Sequence, residues 1–125
     1  MGTKVDLERL AATLDEYTYA YLMTTGDSGR PHAVAVRTVL ADRRLHVDGC
    51  GWRSRANAEA QRIVALVYPP CIADGYSLIV DGEAEVSDDG LVVTPTVAVL
   101  HRPPRADAPL PGSGCASDCQ RLEYD

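Results

Sequence analysis

Short breaks decide the architecture of this chain. Gly26-Asp27-Ser28-Gly29, Ala41-Asp42-Arg43 and Asp88-Asp89-Gly90 each interrupt apolar or β-branched sequence with only three or four turn-forming residues. Connections that short join antiparallel neighbours, whereas a parallel crossover needs roughly a dozen residues or more. Between the breaks, Tyr17, Tyr19 and Tyr21 alternate with Thr18, Ala20 and Leu22, the period of two expected of a strand. Pro31 to Leu40 and Arg44 to Asp48 read as the next two strands. Ile63 to Tyr68 is almost wholly apolar and predicts a strand buried on both faces, stopped by Pro69-Pro70. Tyr76 to Val86 follows as a strand with a bulge or bend at Gly82, and Leu91 to Val93 as a short one.

Helical signals are fewer. Thr3-Lys4-Val5-Asp6 resembles a capping box, and Val5, Leu7, Leu10, Ala11 and Leu14 recur at helical spacing. Gly49-Cys50-Gly51 ends the third strand, and Ser54 is placed to cap a helix through Ala56, Ala58 and Ala60. Thr94-Pro95 reads as an N-cap with a first-turn proline, opening a short helix to about Leu100. The expected fold is therefore mainly β with short helices, its antiparallel sheet curled into a small closed or split barrel to hide its edges.

The chain has 125 residues, enough for one core. A barrel domain over 1–101 is expected, followed by a tail over 102–125 whose Pro103, Pro104, Pro109, Pro111, Gly112 and Gly114 suit a loop packed on or extending from it. The net charge of −6 argues against a nucleic-acid partner. A membrane span needs roughly 20 apolar residues, and this sequence offers none. Lys4, Asp6, Glu8 and Arg9 break up the N-terminus too much for a secretion signal, so a cytoplasmic location is expected. Cys50, Cys71, Cys115 and Cys119 lack a usual zinc spacing. Free thiols and no metal site are the expectation, with a disulfide or metal at Cys115 and Cys119 left open.

Charge is unevenly spread. Arg37, Arg43, Arg44, Arg53, Arg55 and Arg62 outnumber Asp42, Asp48 and Glu59, whereas the segment from Asp107 to Asp125 is acidic. Ser54 and the first amides of its helix present donors to one spot, and Arg55 in that first turn opposes the helix dipole unless an anion lies between. Arg37 shares a strand face with Ala35 and Val39 and needs a partner there, either an anion or a carboxylate such as Asp48 or Glu83. His32, His46 and His101 stand apart from any serine or cysteine arrangement and read as structural or solvent-facing, so no catalytic residue is assigned.

The ordered set Tyr21-Leu22-Met23-Thr24-Thr25, Gly29-Arg30-Pro31-His32, Arg37-Thr38-Val39-Leu40, Ser54-Arg55 with Asn57, Val64-Ala65-Leu66-Val67-Tyr68 and Asp81-Gly82-Glu83-Ala84-Glu85-Val86 covers about half the chain. It resembles the pyridoxamine 5'-phosphate oxidase-like, FMN- and deazaflavin-binding split-barrel family. That resemblance implies a six-stranded split β-barrel and a homodimer with cofactor, FMN or alternatively the deazaflavin coenzyme F-420, at the subunit interface. It implies hydride transfer to or from a small organic substrate. Arg37, Ser54 and Arg55 would hold the cofactor phosphate, while Val36, Thr38, Val39 and Trp52 would flank the ring. Ala56 stands where such proteins often have a phosphate-binding lysine, and nothing beyond Val86 matches the vitamin B6 oxidase substrate site. A non-catalytic flavin- or haem-binding module for storage or sensing is the alternative.

Overall fold

The computed structural model describes residues 2–4, 7–103 and 118–123, with side chains from 9 to 103. The elements in chain order are β1 (Gly2–Lys4), α1 (Leu7–Leu14), β2 (Ala20–Thr25), β3 (Pro31–Val36), β4 (Thr38–Ala41), β5 (Arg44–Asp48), α2 (Trp52–Ala60), β6 (Ile63–Tyr68), β7 (Ser77–Val86), β8 (Gly90–Arg102) and β9 (Asp118–Glu123). No described helix is long and apolar enough to cross a membrane.

The nine strands make one sheet that forks at β8. Its path runs β3-β2-β6-β7-β8, antiparallel at every step, and the first residues of β8 also pair with β5, which pairs with β4. The two ends of this seven-strand circuit, β3 and β4, are joined by the single residue Arg37. The chain there leaves β2 (Val36 opposite Ala20) and joins β5 (Thr38 opposite Val47). That is why the sheet curls, and why the expected six strands are corrected: Pro31 to Leu40 is one strand in direction but two in pairing. Beyond the circuit, the later part of β8 pairs with β9, which lies parallel to β1.

Period-two burial fills the barrel. Leu22, Leu45, Val47, Leu66, Leu78, Val80, Leu91 and Val93 are fully buried, and Leu10 of α1 joins them. The β4–β5 hairpin turns on Asp42 and Arg43, both at positive φ, the two left-handed residues of a tight hairpin. Gly51, at φ 89, lets the chain swing from β5 into α2.

Four further expectations need correction. The strand expected from Tyr17 is β2 and begins at Ala20; the Tyr17 hydroxyl instead donates to the Tyr76 carbonyl outside the ladder. β6 is buried on one face only: Val64, Leu66 and Tyr68 point inward, but Ile63 is exposed and Ala65 and Val67 are half-buried. Thr94-Pro95 starts no helix. It lies within β8, where Gly82 pairs with Pro95 and Asp81 with Val97, so one extra residue bulges out and the proline breaks no regular ladder. Finally, Arg102 ends β8 and Asp118–Glu123 forms a strand, while 104–117, including Cys115, lie outside the described residues. Cys50 and Cys71 are free thiols.

Candidate functional site

α2 packs on the barrel through Ser54 and Ala58, one turn apart and both buried. Its start is unusual. Gly51 is the N-cap and supplies no side-chain acceptor, and the first turn holds no acidic residue while containing Arg53 and Arg55. The first intrahelical bond runs from Arg55 N to the Gly51 carbonyl at 3.3 Å. The amides ahead of it lie at the positive end of the helix dipole, in a turn that carries two arginines and no acidic residue. Ser54 is not the cap that its sequence position suggests. It sits inside the first turn, fully buried, and its Oγ has no hydrogen-bond partner. Arg55 donates from Nη1 to the Asp88 carbonyl at 3.0 Å, and its buried Nε is also without a partner.

Arg37 lies at the seam between β3 and β4 with an exposed side chain. Its Nη1 donates to the Thr18 carbonyl at 3.2 Å, a neutral acceptor that leaves the charge uncompensated. The carboxylate partner considered for it, Asp48 or Glu83, does not pair with it: the ion pairs found among the described side chains join Glu85 to Arg44 and Arg62. Arg37, Ser54 and Arg55 thus come from the seam and from the helix start, and the two guanidiniums bond to different carbonyls. Val36 is buried, Val39 is 65% exposed, and Trp52 is 69% exposed with the Arg53 guanidinium 5.5 Å from its ring centre.

Thr38 faces inward. Its Oγ1 and the Tyr68 hydroxyl share a 2.6 Å hydrogen bond at a cavity of about 400 Å3, whose wall also includes Tyr17, Tyr19, Leu40 and Asp15. Burial pushes the Tyr68 phenol up to about 12, with the Thr38 bond pulling the other way. Burial, and then the charge of Glu16, raise Tyr17. Burial likewise raises the Cys50 thiol. All three are neutral near pH 7, so Tyr17 and Tyr68 present hydroxyls to this cavity beside the Asp15 carboxylate.

Between α2 and the residues just after the β2–β3 turn, a cleft of about 510 Å3 is bordered by Arg30, His32, Trp52, Arg53 and Asn57. The sequence counts Arg53 among the central arginines and shows no site shared by Arg30 and His32. Their signal was present in Arg30-Pro31-His32, which follows the β2–β3 turn directly, but only the fold shows that this turn lies against α2. Asn57 fixes that approach by donating from Nδ2 to the Thr24 Oγ1 at 3.1 Å.

No protein-family model matches the sequence. Among solved structures, one described as an F420 reductase superposes with a TM-score of 0.55 over 70% of this chain and 93% of its own length, at 18% identity. That likeness supports the curled, mainly antiparallel barrel. An uncharacterized protein of Mycobacterium bovis and one of Mycobacterium tuberculosis are each 43% identical over 95% of this chain and 96% of their own length. Identity at that level along nearly the whole of each chain makes this protein a member of the same family as those two mycobacterial proteins.

Proposed function

We propose that the chain is a split-barrel oxidoreductase that binds a flavin-type cofactor between two copies and transfers hydride to or from a small organic substrate. One observation carries the reading. The start of α2 is uncapped and doubly cationic, with Ser54 Oγ and Arg55 Nε buried and unpartnered. Buried donors without acceptors are destabilising by about 1–3 kcal/mol each, and a phosphate at this helix end supplies acceptor oxygens and negative charge together. These features support a phosphorylated cofactor, for which Arg37, Ser54 and Arg55 would hold the phosphate and Val36, Thr38, Val39 and Trp52 would flank the ring. The cofactor would supply the hydride chemistry, and the protein supplies position and a shielded face. The F420 reductase likeness makes the deazaflavin the first choice, with FMN second.

The outer sheet face supports a homodimer. Ala35, Tyr21, Val67, Ile79 and Val99 lie opposite one another in successive strands, with Met23 and Ala33 in the next row. Tyr21 and Met23 are each about two-fifths exposed, at 42% and 41%. A continuous apolar stripe across five strands is the kind of surface a second copy covers.

Titration of the purified protein with the deazaflavin and with FMN, followed by quenching of cofactor fluorescence, tests the proposal. Saturable binding of one is expected, and Arg55→Ala should weaken it by roughly 1.5–3 kcal/mol, one to two decades in Kd. Binding of neither at tens of micromolar refutes it. Cofactor that dithionite reduces but no nicotinamide or deazaflavin donor reduces would instead support the non-catalytic module.

A further inference from the structure

The cleft between the β2–β3 turn and α2 is anomalous in charge. The chain carries a net −6, yet this cleft is lined by two guanidiniums and an imidazole with no carboxylate. Among the described residues neither guanidinium has an acidic partner. The Arg30 side chain makes no recorded polar contact, and the Arg53 guanidinium rests only against the Trp52 ring. Like charges gathered without counter-charge repel, and in an acidic protein nothing about net charge forces them together. The walls are fixed: Asn57 ties α2 to β2, and a side chain at Gly26 would collide with the Asn57 amide, so the turn and the helix are in close contact. At about 510 Å3 the space far exceeds an inorganic ion and falls within the range of small-molecule sites. Trp52 adds a mostly exposed flat surface to one side.

We infer that this cleft binds a small organic anion, its carboxylate or phosphate held by Arg30 and Arg53 and its flat part against Trp52. The inference goes beyond the cofactor reading and shares only Trp52 with it; Arg37, Ser54 and Arg55 do not line this cleft. Two guanidiniums match the paired oxygens of a carboxylate or phosphate, and the indole face accepts a planar group.

Trp52 is the chain's single tryptophan and borders this cleft, so its emission reads binding here, and the Arg55→Ala variant below separates that response from one at the cofactor site. The full chain is titrated with phenyl phosphate, benzoate and inorganic phosphate, each against potassium chloride at equal ionic strength. Saturable change with phenyl phosphate or benzoate is expected, tighter than with inorganic phosphate. A response to one of the two aromatic anions identifies the head group. Arg30→Ala and Arg53→Ala, both at exposed positions, should each weaken that response about tenfold without moving the unfolding midpoint. Arg55→Ala should leave it intact while weakening cofactor binding, which separates this site from the cofactor site. Emission that follows ionic strength alone, or wild-type affinity retained in both arginine variants, overturns the inference.

Discussion

Replacing Ser54 with alanine should move stability and cofactor binding in opposite directions. Ser54 is fully buried and its hydroxyl has no partner, so the ligand-free fold carries a desolvated donor. From mutational data that situation costs about 1–3 kcal/mol. Removing the oxygen leaves a void of roughly 10 Å3, which at about 24 cal/mol per Å3 returns only some 0.2 kcal/mol of loss. Alanine is also the better helix former by about half a kcal/mol at an interior position. The net expectation is a gain of about 1.3–3.3 kcal/mol. For a chain of 125 residues, with an unfolding entropy of roughly 2.1 cal/mol/K per residue, that raises Tm by about 5–13 °C. Differential scanning fluorimetry of the ligand-free protein reads the first effect, and cofactor titration reads the second as a weakening of about tenfold, the equivalent of one lost charge-assisted hydrogen bond. A lower Tm in Ser54→Ala would show that the hydroxyl is satisfied in the native fold and would remove the argument for a missing acceptor. A higher Tm with unchanged affinity would keep the orphaned hydroxyl but take it out of the phosphate site.

Two more perturbations test the surroundings. Tyr68 has a folded pKa near 12 against about 10 unfolded, so the folded state binds the extra proton between those values. Its stabilising effect is complete below pH 10 and falls by about 2–3 kcal/mol as pH rises to 12. Urea unfolding at pH 8, 10 and 11.5 should show this loss in the wild type and not in Tyr68→Phe; equal slopes in both would mean Tyr68 is open to water. At the outer face, Tyr21→Lys should convert a dimer to a monomer in sedimentation velocity while far-UV circular dichroism stays the same. A wild-type chain that sediments as a monomer at tens of micromolar would refute the proposed pairing.

How much of this could be read beforehand depended on whether the signal was local. The hairpin at Asp42-Arg43 and the bulge at Gly82 were legible because turn chemistry is fixed by a few adjacent residues. The helix misassigned at Thr94-Pro95 shows the limit. Leu91, Val93 and Pro95 point inward on odd positions, but past the bulge Ala98 and Leu100 do so on even ones. A parity change of that kind erases the period of two, and Thr-Pro then looks like a helix start. β9 escaped notice for a related reason: Asp118-Cys119-Gln120-Arg121 carries no strand signal, and its strand character comes from pairing with β8 on one side and β1 on the other. At the site, residue types were legible and their satisfaction was not. The arginines could be listed from the sequence, but that Arg37 reaches the Thr18 carbonyl, and that Ser54 is sealed without an acceptor, required three segments to be placed at once.

The seam at Arg37 explains why free donors gather here rather than elsewhere on the barrel. Along β2, β6, β7 and β8, each strand has neighbours on both sides and the ladder consumes its amides and carbonyls. Between β3 and β4 the chain changes partners, so Arg37 belongs to neither ladder and its side chain takes up the carbonyl of Thr18 just ahead of β2. α2 is inserted between β5 and β6, and its uncapped first turn opens where β5 has just ended. Two kinds of unfinished hydrogen bonding therefore occur near the end of β5: a chain that has just changed partners at Arg37, and a helix start whose N-cap Gly51 brings no acceptor. In a sheet with ordinary edges, water would satisfy such groups. Here Ser54 Oγ and Arg55 Nε are closed to water in the ligand-free fold, so a phosphate oxygen reaches them only as the first turn of α2 shifts on binding. An anionic cofactor group would then satisfy them and use the cationic surplus of the same turn. A neutral ligand would satisfy the hydrogen bonds but leave the charge, which is why salt dependence of cofactor affinity, steeper for wild type than for Arg55→Ala, is the signature to expect.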